Sequence, residues 1–396
     1  MSERPLALVV TWFYDDQNGF LTYRQRIIAL AATWRVVLIL RDDRFRKEFS
    51  DLPISIKVIA ARSGSRFALL WWCARVGSWL STSQPDLVVL LGTQAAPVAL
   101  GLGNSIPTVL FWNVHPSQIF NPDVPKALTR ALNAASTHVY YQAARRARLI
   151  LPIGPELRGD LIQKGVDPLR AITLPLGIPS VHELKQPTKL RGLRPGETLR
   201  LVMAGSINVE RGRDIMMQSV AQLRHEGFGV HLELVGANSD QARHCNEQIR
   251  ARGVQGAVTV RHRVTSHEIP EILGNAHLGL SLLRDSPWAK FNPPTKIYEY
   301  LASGLPVVAS DVDIHRNMII DRKNGWLCRF EVADLSRILR ELLENPAQIT
   351  QASAAAYGSA QPFLWSRLEA DFIGLCQRTQ RETTRGTEQS GVYVRD

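Results

Sequence analysis

Cysteine is scarce in this 396-residue chain, with Cys73, Cys245, Cys328 and Cys376 far apart in sequence. There is no CxxC pair and no histidine at metal-ligand spacing beside them, which argues against a disulfide framework or a zinc site and fits a reducing compartment. Long apolar runs are also missing. The first, Leu6–Val10, is too short for the core of a secretory signal. Residues 87–114 carry no Asp, Glu, Lys, Arg or His, but Gly92, Pro97, Gly101, Gly103 and Pro107 interrupt them, so they read as strand, short helix, strand rather than as a span of about 20 apolar residues. No short internal repeat appears. There is no zinc finger, basic zipper or aromatic RNA-binding strand, so the basic character (47 Lys+Arg against 36 Asp+Glu) is not read as a nucleic-acid signature.

The excess of positive charge lies at one end. Residues 1–180 hold 20 Lys/Arg and 12 Asp/Glu, whereas the remaining 216 hold 27 and 24. A basic amino-terminal half points to an anionic partner.

Short β-branched runs alternate with helical stretches, the pattern of parallel sheets covered on both faces. In the first half the strands are Leu6–Thr11, Arg35–Leu40, Ile54–Ala60, Leu87–Leu91, Thr108–Trp112, Arg148–Pro152 and Ala171–Pro175. Residues 181–198, rich in Pro, Gly and basic residues, read as a linker. A second series starts at Arg200–Ala204 and runs through Val307–Ser310. A helix follows at 364–377, placed to cross back to the first half, and then a polar tail over 378–396. The fold class is α/β, with two doubly wound Rossmann-like domains, 1–180 and 199–363. Such halves bind ligands at the carboxyl ends of their strands.

Two segments carry the chemistry. In the stretch 292–310, Pro293 and Pro294 stop backward continuation of a helix, and Thr295 is placed to cap it. The first-turn N–H groups and Lys296 then form an anion site, with Glu299 one turn in to accept ribose hydroxyls. In the stretch 205–214, Gly205 and Ser206 end a strand, and Arg211 and Arg213 stand before the next helix, where arginine can grip a diphosphate.

Together these segments resemble the retaining nucleotide-sugar glycosyltransferases of family 4, with the GT-B fold. The resemblance runs through Gly205, Ile207, Arg211 and Gly212, and through Pro294, Lys296, Glu299, Ala302, Gly304, Pro306 and Val307. It covers about residues 200–330, while the first half matches in layout. It implies two domains facing a cleft and a nucleotide-diphosphate sugar as co-substrate. Arg211 and Lys296 would neutralise the leaving diphosphate, and Glu299 would hold the ribose as the second acid of an E-x7-E motif. The first acid is replaced by Phe291, with Asp285 nearby in sequence. Gly19 resembles the first-loop glycine near the donor phosphate, and His115 the histidine near the transferred sugar. No cofactor and no metal are expected.

A third feature is the segment 66–80. At about 100° per residue, Trp71, Trp72, Arg75 and Trp79 share one face, a composition suited to a membrane interface. Arg145, Arg146 and Arg148 form a second basic cluster in the same half. The expected partners are a nucleotide sugar, a carbohydrate or lipid-linked acceptor and an anionic membrane surface, with no nucleic acid. The expected location is cytoplasmic, at the inner face of the membrane, in the synthesis of bacterial-type surface polysaccharide or glycolipid. The alternatives are a catalytically silent scaffold of the same fold and another nucleotide-sugar enzyme such as an epimerase.

Overall fold

A computed structural model of the chain describes residues 4–13, 20–61, 68–119, 126–179, 190–265, 267–286, 289–291 and 293–391. It forms two compact units. One comprises the chain up to Gly177 together with the chain from Ser366, and the other is Ile178–Trp365.

In the first unit the elements run β1 (Leu6–Thr11), α1 (Phe20–Thr33), β2 (Arg35–Leu40), β3 (Ser55–Val58), α2 (Ala68–Ser83), β4 (Leu87–Leu91), β5 (Thr108–Trp112), α3 (Lys126–Arg146), β6 (Leu149–Pro152) and α4 (Pro155–Gln163). The six strands form one parallel sheet in the order β3-β2-β1-β4-β5-β6. The charge-free stretch 87–114 is two fully buried central strands joined by a 3-10 helix, Thr93–Gly101, that carries Pro97. Burial of both sheet faces explains why these strands are continuous apolar runs.

The second unit runs β7 (Leu199–Ala204), α5 (Arg213–His225), β8 (Val230–Ala237), α6 (Ser239–Ala251), β9 (Val258–His262), α7 (Ile269–Gly274), β10 (Leu278–Ser281), α8 (Thr295–Ala302), β11 (Val307–Ser310), α9 (Asp313–Arg316), β12 (Gly325–Cys328), α10 (Val332–Glu344) and α11 (Ala347–Ala360). Its sheet repeats the topology in the order β12-β11-β10-β7-β8-β9. In each sheet the connections change direction once, between β1 and β4 and between β7 and β10. The carboxyl ends of those strands frame the crevice in which doubly wound sheets take ligands.

Three expectations are corrected. α12 (Trp365–Gly391) continues well past Gln377, so 378–391 is helix rather than a polar tail. Thr379 is buried, and the Gln380 amide oxygen accepts the Trp34 indole N–H at 3.0 Å, which ties this helix to the first unit. Residues 190–198, read as the end of a linker, are packed on the second unit. Leu193 is buried there, and Arg191 donates to the carbonyls of Gly274 and Ser303. Thr295 does not cap α8. Pro294 occupies the cap position, Thr295 is the first helical residue, and the cap residue makes no side-chain hydrogen bond to the helix. Among the described residues no helix is long and apolar enough to cross a membrane.

Candidate functional site in the second unit

The end of β7 sits at the switch point. Gly205 follows it with φ +106°, and the Lys296 side chain reaches across the turn. Its Cε and Nζ lie 3.7 Å from where a Cβ at Gly205 would stand. α8 is held there by Tyr300, whose hydroxyl accepts the Ala204 N–H at 2.7 Å. The first-turn N–H groups of Thr295 and Lys296 have no acceptor within the helix, so the positive end of α8 and the ammonium serve the same place.

Lys296 is buried, and burial with the nearby Arg211 guanidinium lowers its pKa to about 7, although Glu299 one turn away opposes the shift. Burial likewise lowers Arg211. His315, on α9, is fully buried and donates from Nδ1 to the Ser310 carbonyl at 2.8 Å. Burial, with Lys296 and Arg211 acting in the same direction, takes it down to about 4. A neutral imidazole and two crowded cations therefore share one end of the sheet. Such a cluster is stabilised by a ligand that brings negative charge.

The Arg211 loop is built for close approach. The Asn208 side chain accepts the Arg211 N–H at 3.0 Å. Gly212 follows at φ +71°, and a Cβ there would lie 2.6 Å from Leu282 Cβ. Both the left-handed backbone and the contact demand glycine. Gly212→Ala is expected to cost about 2–4 kcal/mol in strain and overpacking. Thermal denaturation checks it, and an unchanged melting temperature would refute this role.

Asp285 lies in the loop after β10. Its neighbour Arg284 donates its N–H to the Glu210 carbonyl at 2.9 Å and pairs with the Glu210 carboxylate at 3.1 Å, so this loop is fastened beside Arg211. Phe291, where the resemblance calls for an acid, ends a short 3-10 helix, and the Lys290 ammonium lies 5.8 Å from its ring centre. Pro294 is buried, Ser206 and Thr295 are exposed and Glu299 is half-buried.

In the first unit, His115 stands just past β5. The loop that carries it is pinned at the end of β4. Thr93 Oγ1 accepts the N–H groups of Asn113 and Val114 at 3.1 Å each, and Asn113 Oδ1 accepts the Thr93 N–H at 3.1 Å. The Asn113 amide also donates to the Tyr23 hydroxyl at 2.8 Å. Ser117 N–H donates to His115 Nδ1 at 3.2 Å, which leaves the ring proton of the neutral tautomer on Nε2. Nε2 then faces the Tyr141 hydroxyl at 3.1 Å, and Tyr141 donates onward to Asp160. Burial lowers the His115 pKa even though Asp160 pulls the other way. Sequence reasoning missed Tyr141 and Asp160, because nothing in the spacing of 115, 141 and 160 marks them as neighbours before the fold is known. His315 also escaped it. Gly19 lies outside the described residues.

Of the four residues expected at a membrane, Trp72 is in the core, with its indole N–H donating to the Ile59 carbonyl at 2.5 Å. Trp72 belongs to the buried stripe of α2 with Leu69, Cys73, Val76 and Leu80, whereas Trp71, Arg75 and Trp79 lie one step round the helix. Trp71 and Trp79 are half-buried beneath cations, Arg75 4.8 Å from the ring centre of Trp71 and Lys57 4.2 Å from that of Trp79.

The fold agrees with the comparisons. Residues 198–345 match the family described as "Glycosyl transferases group 1", and residues 23–177 match the "Glycosyl transferase 4-like domain". The chain is a glycosyltransferase of the GT-B fold. Solved structures similar to it include HepE of Anabaena in complex with UDP-glucose, 18% identical with a TM-score of 0.68 over 94% of this chain and 100% of that one. Sucrose-phosphate synthase of Thermosynechococcus elongatus is 14% identical, with a TM-score of 0.72 over 95% and 99%. The lipopolysaccharide outer core galactosyltransferase WaaB is 12% identical, with a TM-score of 0.68 over 93% and 98%. No curated protein matches by sequence.

Proposed function

We propose that this enzyme moves a sugar, with retention, from a nucleotide-diphosphate sugar to a carbohydrate or lipid-linked acceptor in the synthesis of bacterial-type surface polysaccharide or glycolipid. The observation that carries the donor assignment is the buried Lys296 amine, crowded by Arg211 against Gly205 at the start of α8. A diphosphate brings this buried cationic cluster more negative charge than the Glu299 carboxylate supplies. The UDP and UDP-glucose complexes of HepE support the same class of donor, and WaaB supports a surface-glycan setting.

In this reading Arg211, Lys296 and the first-turn N–H groups hold the leaving diphosphate as the C1–O bond breaks. The acceptor oxygen bonds to C1 from the same face, and its proton passes to the leaving phosphate. Electrostatic stabilisation of that leaving group is the main source of rate. Glu299 holds the ribose. His115, positioned through Tyr141 and Asp160, contacts the sugar, and Asp285 provides the carboxylate absent at Phe291. With the charge met by Arg, Lys and a helix start, the reaction needs no metal. The protein works at the inner face of the membrane.

The test is a thermal-shift screen with UDP, GDP, ADP and their sugars, with and without EDTA. A ligand at 100 times its dissociation constant adds about 2.7 kcal/mol. One base is expected to give a shift that EDTA leaves intact. No shift with any nucleotide would refute the donor assignment, and a shift abolished by EDTA would refute metal independence.

A further inference from the structure

The surface at the amino end of β6 carries a feature that the transfer reaction does not use. α3 ends in Arg145 and Arg146, and Arg148 follows before the strand begins. The 3-10 helix Pro168–Arg170 packs on this corner. The Arg170 guanidinium donates to the carbonyls of Arg145 at 3.1 Å, Arg148 at 3.3 Å and Ala147. Arg145 Nε donates to the Lys164 carbonyl at 3.0 Å. Cations gather here partly because the last carbonyls of α3 are the negative end of its dipole.

Segments 145–148 and 164–170 thus bring Arg145, Arg146, Arg148 and Arg170 together, with Asp167 as the one acid in those segments, while the Lys164 ammonium turns to the Tyr141 ring, 5.8 Å from its centre. The Asp167 carboxylate is occupied by the Leu169 N–H at 2.9 Å. At the tip stands Leu169, 86% exposed, whereas the next most exposed large hydrophobic residue among the described residues, Ile320, is 54% exposed. Arg146, Arg148 and Pro168 on the same segments are exposed as well.

We infer that this corner is the surface by which the enzyme meets an anionic lipid bilayer. The arginines match the lipid phosphates, and the leucine enters the boundary between headgroups and acyl chains. A nucleic acid would engage the cations but gain nothing from the leucine. The inference rests on the membrane-surface reading above and places the contact at this corner, away from the tryptophans of α2.

The four native cysteines are buried, so Leu169→Cys offers a single exposed thiol for an environment-sensitive dye. Its emission is expected to rise and shift to the blue with vesicles of phosphatidylcholine containing phosphatidylglycerol, and to stay unchanged with phosphatidylcholine alone. Each basic residue near such a surface is worth roughly a fivefold change in partitioning. The double substitution Arg146→Ser with Arg148→Ser is therefore expected to lower co-sedimentation affinity more than tenfold. If the wild type sediments with anionic vesicles while the dye stays in water and the double variant binds normally, this corner is excluded and the membrane reading stands. If the wild type ignores the vesicles, or binds only a soluble polyanion, both are overturned.

Discussion

Lys296→Met is expected to raise the melting temperature of the free protein near pH 7 and to weaken, without abolishing, its response to nucleotide sugar. The sign follows from the lowered pKa. The amine titrates near 7 when folded and at an ordinary 10.5 when unfolded. Between those values the unfolded chain binds the extra proton, so the free wild-type protein gains stability as pH rises from about 7 to about 10. At pH 7 the buried charge is a cost, and methionine removes it while keeping most of the side-chain volume. A gain of at least about 1 kcal/mol, or about 2–4 °C, is expected. Thermal denaturation with and without donor checks both halves. A variant that is destabilised, or that responds to donor as strongly as the wild type, contradicts the account.

Arg211→Ala and Glu299→Ala are each expected to lower kcat/KM by at least ~2 kcal/mol, about thirtyfold, by the loss of charge-assisted hydrogen bonds. The two should differ in where the loss falls. In the proposed mechanism Arg211 faces charge that grows as the diphosphate leaves, so its loss is expected in kcat. In the same proposal Glu299 holds a part of the nucleotide that does not change during the reaction, so its loss is expected mainly in KM. Steady-state kinetics against donor concentration separate the two. Near-normal turnover in both variants would refute the donor site.

Much of this site was legible in sequence because its parts are local. Glycine at 205 and 212, arginine at 211 and the Pro-Pro-Thr-Lys start of α8 each announce a backbone geometry or a charge within a few residues. The strands were legible for the same reason, since central parallel strands are continuous apolar runs. What stayed hidden depends on contacts between distant segments. The His115–Tyr141–Asp160 chain spans two helices and a loop. The burial of His315 and of Lys296, which shifts their titration, is a property of packing. Trp72 was misread because a helix face rich in Trp looks the same in sequence whether it meets a sheet or a bilayer. The helix beyond Gln377 was misread because its polar composition hides the contacts of Thr379 and Gln380 with the first unit.

The central claim is that a buried, cationic end of the second sheet binds the donor diphosphate. The most direct test is the affinity for the nucleotide sugar found by the thermal screen, measured by calorimetry across pH 7.5–8.5. A nucleotide sugar is the right probe because its diphosphate, esterified at both ends, has no ionisation in that range, which leaves Lys296 to set the dependence. The account predicts affinity falling by up to about tenfold per pH unit above 7, with proton uptake on binding, and no such dependence in Lys296→Met. Wild-type affinity that is independent of pH, or a pH dependence that survives in the variant, would contradict it.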